Sequence, residues 1–267
     1  MIINLNEGIY KSDTDDFMFD FDNDTPDDIL NIASVQIQQS NIGSNVYWFG
    51  YQFNPDINSK TRTNFIAWIK GLYTDKNKRP ASAELYRFID RPIGQLDKIV
   101  PFVTFDSIIY PVSNRSDLVK SIIRVVHNYI DRDAAKLNFE LVKSLPKNIN
   151  FDYKALEMNF AGDKNRINQM SSYAKDILMP SIHELPYFSI AANVKNFKYK
   201  PYIRDFLEFE TAEAQSTFEA LSKPRTLIID DINTSGSTLT EMVRIIKKVN
   251  PTAEVYIFTL LGKELDI

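Results

Sequence analysis

A chain of 267 residues, 44% hydrophobic and 25% charged, has globular composition and apolar residues enough for one large core or two modest ones. Its formal charge of −4 gives no basic footprint for a phosphate backbone, which disfavours nucleic acid as a partner. With no cysteine, disulfides, thiolate nucleophiles and cysteine-built zinc sites are excluded, and two isolated histidines, His127 and His183, disfavour a histidine-built metal site.

In chain order, the first residues, MIINLNEGIYKSD, lack the basic and apolar regions of an export signal. No run approaches the roughly 20 apolar residues of a membrane span, so a soluble, cytoplasmic protein is expected. Residues 11 to 28 carry eight aspartates, and Asp20, Asp22 and Asp24 have the spacing that opens a calcium loop. The glycine and the closing glutamate of such a loop are missing, so the stretch reads as a solvated acidic lead-in. Thr25 and Pro26 then open a predicted helix over 26 to 39. Residues 45 to 53, NVYWFGYQF, are aromatic and β-prone, whereas 63 to 73 and 82 to 90 have mixed patterns with no firm assignment.

From residue 106 the pattern sharpens. SIIYPV (107 to 112) predicts a short strand, and Leu118, Ile122, Val125, Val126 and Tyr129 recur at helical spacing after it. LNFELV (137 to 142) predicts the next strand, and helices are predicted over 164 to 179 and 202 to 221. TLII (226 to 229) is a continuous apolar strand, a helix over 237 to 249 carries Leu239, Met242, Val243 and Ile246, and VYIFTL (255 to 260) is another strand. Apolar strands alternating with helices predict an α/β fold with a parallel sheet flanked by helices, as one main domain with an elaborated N-terminal part.

The strand at 226 to 229 runs into Asp230 and Asp231, then Ile232-Asn233-Thr234-Ser235-Gly236-Ser237-Thr238 leads to the helix. In open α/β sheets ligands bind beyond the carboxyl ends of the strands, which is where this segment falls. Backbone N–H groups at a helix start carry partial positive charge, and Thr234, Ser235, Ser237 and Thr238 add hydroxyl donors around the permissive Gly236, which makes a phosphate cradle. The chain has no lysine-bearing Walker loop, and two carboxylates beside a phosphate need another occupant. Vicinal ribose hydroxyls satisfy them, so the combination reads as a ribose 5-phosphate site. The plainer alternative is a strand ended by aspartates and a helix capped by Ser and Thr.

These residues resemble the phosphoribosyl pyrophosphate (PRPP) motif of the type I phosphoribosyltransferases, with Asn233 where that family usually has an aliphatic residue, a departure expected to weaken packing under the loop. The resemblance implies that Asp230 and Asp231 hold the ribose 2′ and 3′ hydroxyls, and that Thr234, Ser235, Gly236, Ser237 and Thr238 hold the 5-phosphate. A second stretch agrees with it: the strand at 107 to 112 is followed by Ser113, Asn114, Arg115 and Ser116 opening a helix, as in the pyrophosphate loop of competence-associated and orotate-type members. Ser113, Asn114 and Arg115 are thereby candidates for pyrophosphate. The resemblance covers residues 106 to 262, within an expected core of 101 to 267, and leaves 1 to 100 as a hood or accessory region.

The chemistry so implied is displacement of pyrophosphate at ribose C1 by a nitrogen nucleophile, with Mg²⁺ held mainly by PRPP and the acid pair facing a cationic transition state. Lys143, Lys147, Lys164 and Arg166 are candidates for closing charge, Lys143 foremost because it directly follows a strand. Purine-salvage relatives carry an aspartate at the place of Thr234, which disfavours hypoxanthine or guanine as acceptor. Tyr47, Trp48, Phe49, Tyr51 and Phe53 are expected to serve the core before they serve an acceptor ring. A small-molecule acceptor is the expected partner, and a homodimer is compatible with the sequence. A non-catalytic PRPP or nucleotide sensor on the same fold is the rival function.

Overall fold

A computed structural model of the chain describes residues 3–6, 9–11, 17–19, 45–52, 59–72, 79–113, 116–130, 137–233 and 236–262. The predicted helix at 26 to 39, the eight aspartates of the acidic lead-in and Phe53 lie outside them. In chain order the strands are β1 (Ile3–Asn6), β2 (Ile9–Lys11), β3 (Phe17–Phe19), β4 (Val46–Gln52), β5 (Ser107–Pro111), β6 (Leu137–Lys143), β7 (Asn150–Phe151), β8 (Ile203–Arg204), β9 (Leu207–Phe209), β10 (Arg225–Ile232) and β11 (Glu254–Gly262). The helices are α1 (Ser59–Ile69), α2 (Ser82–Ile99), α3 (Leu118–Asn128), α4 (Tyr153–Asn159), α5 (Lys164–Tyr173), α6 (Met179–His183), α7 (Ile190–Asn193), α8 (Ala212–Glu219) and α9 (Ser237–Val249). The fold is α/β and divides into two compact units, one formed by 1–138, 223–234 and 253–267, the other by 139–222 and 235–252.

The first unit is built on four parallel strands in the order β4-β11-β10-β5, and a separate antiparallel sheet joins β1, β2 and β3. Both neighbours of β10 run parallel to it, with Ile228 paired to Ile257 of β11 and to Ile109 of β5. Leu227, Ile228 and Ile229 are completely buried, as expected of a strand covered on both faces. Of the two stretches with mixed patterns, 63–69 lies in α1 and 82–90 in α2. Phe65, Trp68 and Ile69 of α1 and Phe88, Ile89, Ile93 and Leu96 of α2 enter one apolar cluster with the buried face of α3. Each fully buried side chain of this size contributes about 1.5–3 kcal/mol. Pro92 lies inside α2 without breaking it, and its ring fills the space where Gly50 of β4 has no side chain: a Cβ there would fall 2.8 Å from Pro92 Cβ. The pattern of α2 is hard to read because a proline inside a helix is normally a breaker. Tyr47, Trp48, Phe49 and Tyr51 are all buried in β4, so these aromatics belong to the core.

In the second unit β6 and β9 pair antiparallel, as do β7 and β8. The single helix predicted over 202 to 221 is instead β8, a turn, β9 and α8. Asp205 sits at φ 59°, a left-handed conformation that stops any helix there. Leu207 and Phe209 are buried around an exposed Glu208, a period of two, and Thr211 caps α8 by accepting from Ala214 N–H at 3.0 Å. The helix predicted over 164 to 179 starts where expected but passes through a π-turn at Ala174–Leu178 into α6. Pro180 has no N–H for the carbonyl four residues back and its ring crowds that carbonyl, and the wider turn relieves both. Phe139, Phe209 and Phe218 form an aromatic trio with ring centroids 5.4–6.0 Å apart, and α9 buries Leu239, Met242, Val243 and Ile246 on its expected face.

Candidate functional site

The carboxyl end of β10 places Asp230 and Asp231 in a central parallel strand, both buried at 6% and 5% exposure. Neighbouring residues of a strand face opposite sides of the sheet, so the two acids have different surroundings. Asp231 Oδ2 forms an ion pair with Lys70 Nζ at 2.7 Å. Asp230 Oδ1 accepts the Asp231 N–H at 2.8 Å. Burial, followed by the adjacent Asp231 charge, pushes the Asp230 carboxyl up to about 8, against the opposing pull of that N–H and of Lys70. Lys70 has no counterpart in the sequence expectations. The only local signal for it is a lysine-glycine pair closing the apolar residues of α1.

Beneath the acids lies a buried polar chain. Asn233 Nδ2 donates to the Tyr47 hydroxyl at 3.0 Å, and that hydroxyl is 2.9 Å from Thr259 Oγ1. The Asn233 N–H donates to Leu261 O at 2.8 Å. Asn233 is therefore not a packing fault: its amide is matched by a tyrosine from β4 and tied to β11. Burial pushes the Tyr47 hydroxyl up to about 12, so it stays protonated and keeps its donor. Gly262 leaves room for this arrangement, since a Cβ there would collide with the Tyr47 hydroxyl and with Phe49 Cβ.

The chain beyond β10 is described from Gly236 onward, with Thr234 and Ser235 outside the described residues. Gly236 is the N-cap of α9 at φ 71° and ψ −9°, a left-handed conformation that favours glycine. Elsewhere in the second unit Asp152, Asp163 and Thr211 each cap a helix through the side chain. Ser237 is buried and Thr238 half-buried in the first turn of α9.

Ser113 follows β5, which runs parallel beside β10, so both strands end on the same side of the first unit's sheet. Asn114 and Arg115 lie outside the described residues. In the second unit Lys143 is exposed at the end of β6, opposite Leu207. Arg166 lies with its guanidinium 4.0 Å from the centre of the Phe160 ring. Among the described residues no three His, Asp or Glu side chains gather into a group that could hold a metal ion, and no helix is long and apolar enough to cross a membrane.

No family model matches the chain, and no curated protein matches it. Among solved structures it is similar to a hypoxanthine phosphoribosyltransferase from Staphylococcus aureus in a tetragonal and an orthorhombic crystal form, at 11% and 12% identity. Each match covers 68% of this chain and 67% of that chain with a TM-score of 0.34. A likeness of that size carries no argument about activity.

The Asp230 environment makes stability depend on pH. Its folded value lies above the ordinary carboxylate value of 3.8, so its contribution is fully present below that value and is lost as pH rises through about 8. The thermal midpoint of wild type, relative to that of D230N, should therefore fall as pH is raised from about 4 to about 8. Parallel midpoint profiles for the two proteins would refute this account of Asp230.

Proposed function

We propose that the chain is a PRPP-dependent phosphoribosyltransferase, transferring ribose 5-phosphate to a nitrogen nucleophile on a small molecule with release of pyrophosphate. The observation that carries the proposal is the buried acid pair at the carboxyl end of a central parallel strand. Asp230 and Asp231 receive the ribose 2′ and 3′ hydroxyls, and the contiguous segment Thr234, Ser235, Gly236, Ser237 and Thr238 receives the 5-phosphate. A helix start opened by a left-handed glycine suits that second role. Ser113, Asn114, Arg115 and Lys143 are assigned to the pyrophosphate.

Mg²⁺ carried by PRPP would supply charge neutralisation for the leaving pyrophosphate, which Ser113, Asn114, Arg115 and Lys143 would hold. The acid pair suits sugar hydroxyls better than a dehydrated cation, since one of its members is already balanced by Lys70. As the bond from C1 to pyrophosphate lengthens, positive charge grows on the ribose ring and the negative charge shared by the acid pair stabilises it. The nitrogen lone pair of the acceptor then forms the new bond to C1 and its proton passes to solvent.

Pyrophosphate release from Mg²⁺-PRPP, measured across a panel of pyrimidine, purine and non-nucleobase amines, tests the proposal. Release with at least one acceptor is expected. Saturable PRPP binding with no release from any acceptor would replace the enzyme by a sensor.

A further inference from the structure

Lys70 is placed by the backbone rather than by chance. Helix α1 ends in a Schellman motif: Leu72 N–H donates to Ala67 O at 2.9 Å, Gly71 N–H donates to Trp68 O at 2.9 Å, and Gly71 adopts φ 66°. Lys70 is the capping residue of that motif, its own N–H bonded to Ile66 O at 3.1 Å, and the last helical residues before it, Trp68 and Ile69, are buried in the core. The lysine stem thus starts from a fixed point. Its ammonium sits at the negative end of the helix and meets Asp231, a carboxylate only 8% exposed in its side chain.

An ordinary surface ion pair is worth little, but this one bears on two adjacent buried carboxyl groups. Like charges so close disfavour each other, and one cation beside them removes part of that cost. It also ties down one oxygen of the Asp231 carboxylate. Asp230 Oδ1 is taken by the Asp231 N–H and Asp231 Oδ2 by Lys70.

We infer that Lys70 is a positioning residue of the ribose site: it holds Asp231 through Oδ2 and so fixes the orientation in which that carboxylate meets a ribose diol. The inference rests on the PRPP reading for its ligand and acts through Asp231, without Lys70 itself touching the sugar. It separates Lys70 from a lysine that merely supports the fold, and from one that binds phosphate directly.

The test is a double-mutant cycle on Mg²⁺-PRPP affinity with wild type, K70M, D231N and K70M/D231N, accompanied by K70R. K70M should weaken binding about tenfold, a loss of the size of one charge-assisted hydrogen bond. K70R should retain most of the affinity, and in the D231N background K70M should cost less than twofold more. Full additivity of the two losses would overturn the inference by making Lys70 a direct ligand contact, and unchanged affinity in K70M would overturn it outright. Absence of PRPP binding by wild type is a separate outcome that removes the PRPP reading and this inference with it. If K70M does not fold, K70Q replaces it, with the same expected loss.

Discussion

The double substitution D230N/D231N is expected to lower pyrophosphate-releasing turnover by about 10²–10³-fold, the range seen when a preorganised electrostatic contact to a transition state is removed. PRPP affinity should fall only about tenfold, because amides can still accept from the ribose hydroxyls through weaker, neutral hydrogen bonds. The inequality carries the mechanism. Positive charge at C1 exists in the transition state and not in bound PRPP, so a carboxylate helps turnover more than it helps binding. Steady-state turnover and equilibrium PRPP affinity, compared between the two proteins, check it, and equal proportional losses would contradict it.

The largest expected effect on stability lies in the second unit. Glu241 of α9 is 1% exposed, and its carboxylate accepts from Arg244 Nε and Nη2, both at 2.8 Å, and from the Asp205 N–H at 2.6 Å. Arg244 Nη2 also reaches Asp205 Oδ1 at 2.5 Å, and Asn150 Nδ2 donates to Asp205 Oδ2 at 3.0 Å. The hydrogen bond with Glu241 raises the Arg244 guanidinium above its already high ordinary value. Burial pulls the Asp205 carboxyl up, but the Asn150 amide and Arg244 more than offset it and hold it below the usual carboxylate value. This network fixes the left-handed Asp205 turn to α9. R244M strands a buried carboxylate and should cost about 3–5 kcal/mol, read as a lowered midpoint in urea or heat. The paired change E241L/R244M should recover most of that loss, since apolar residues of similar volume replace buried ion pairs at little cost. A loss under about 1 kcal/mol for R244M would mean that the network is a solvated surface pair.

The parts of this molecule that could be read from its residues are those in which local pattern and tertiary role coincide. Leu227, Ile228 and Ile229 are apolar because β10 is covered on both sides, and Leu239, Met242, Val243 and Ile246 keep helical spacing because one face of α9 is buried. Asp230 and Asp231 stood out because carboxylates at the end of such a strand break its pattern. Where a long-range partner decides the structure, the residues are silent. Nothing near Asp205 announces a left-handed turn held by Glu241 and Arg244, so apolar residues on either side of it read as one helix. Pro92 looks like a helix breaker until Gly50 is brought opposite it. Lys70 is anonymous in sequence, and only the end of α1 brings it to Asp231.

The central claim is that this acid pair belongs to a PRPP site, and the most direct measurement is the thermal midpoint with and without Mg²⁺-PRPP. A ligand bound by the native state alone stabilises it by about 2.7 kcal/mol at a hundredfold excess over Kd. For a chain of this length that is a rise of roughly 5–10 °C. Wild type should show the rise with Mg²⁺-PRPP and not with pyrophosphate alone, and D230N/D231N should show a smaller one at the same concentration. An unmoved wild-type midpoint at saturating Mg²⁺-PRPP would contradict the claim.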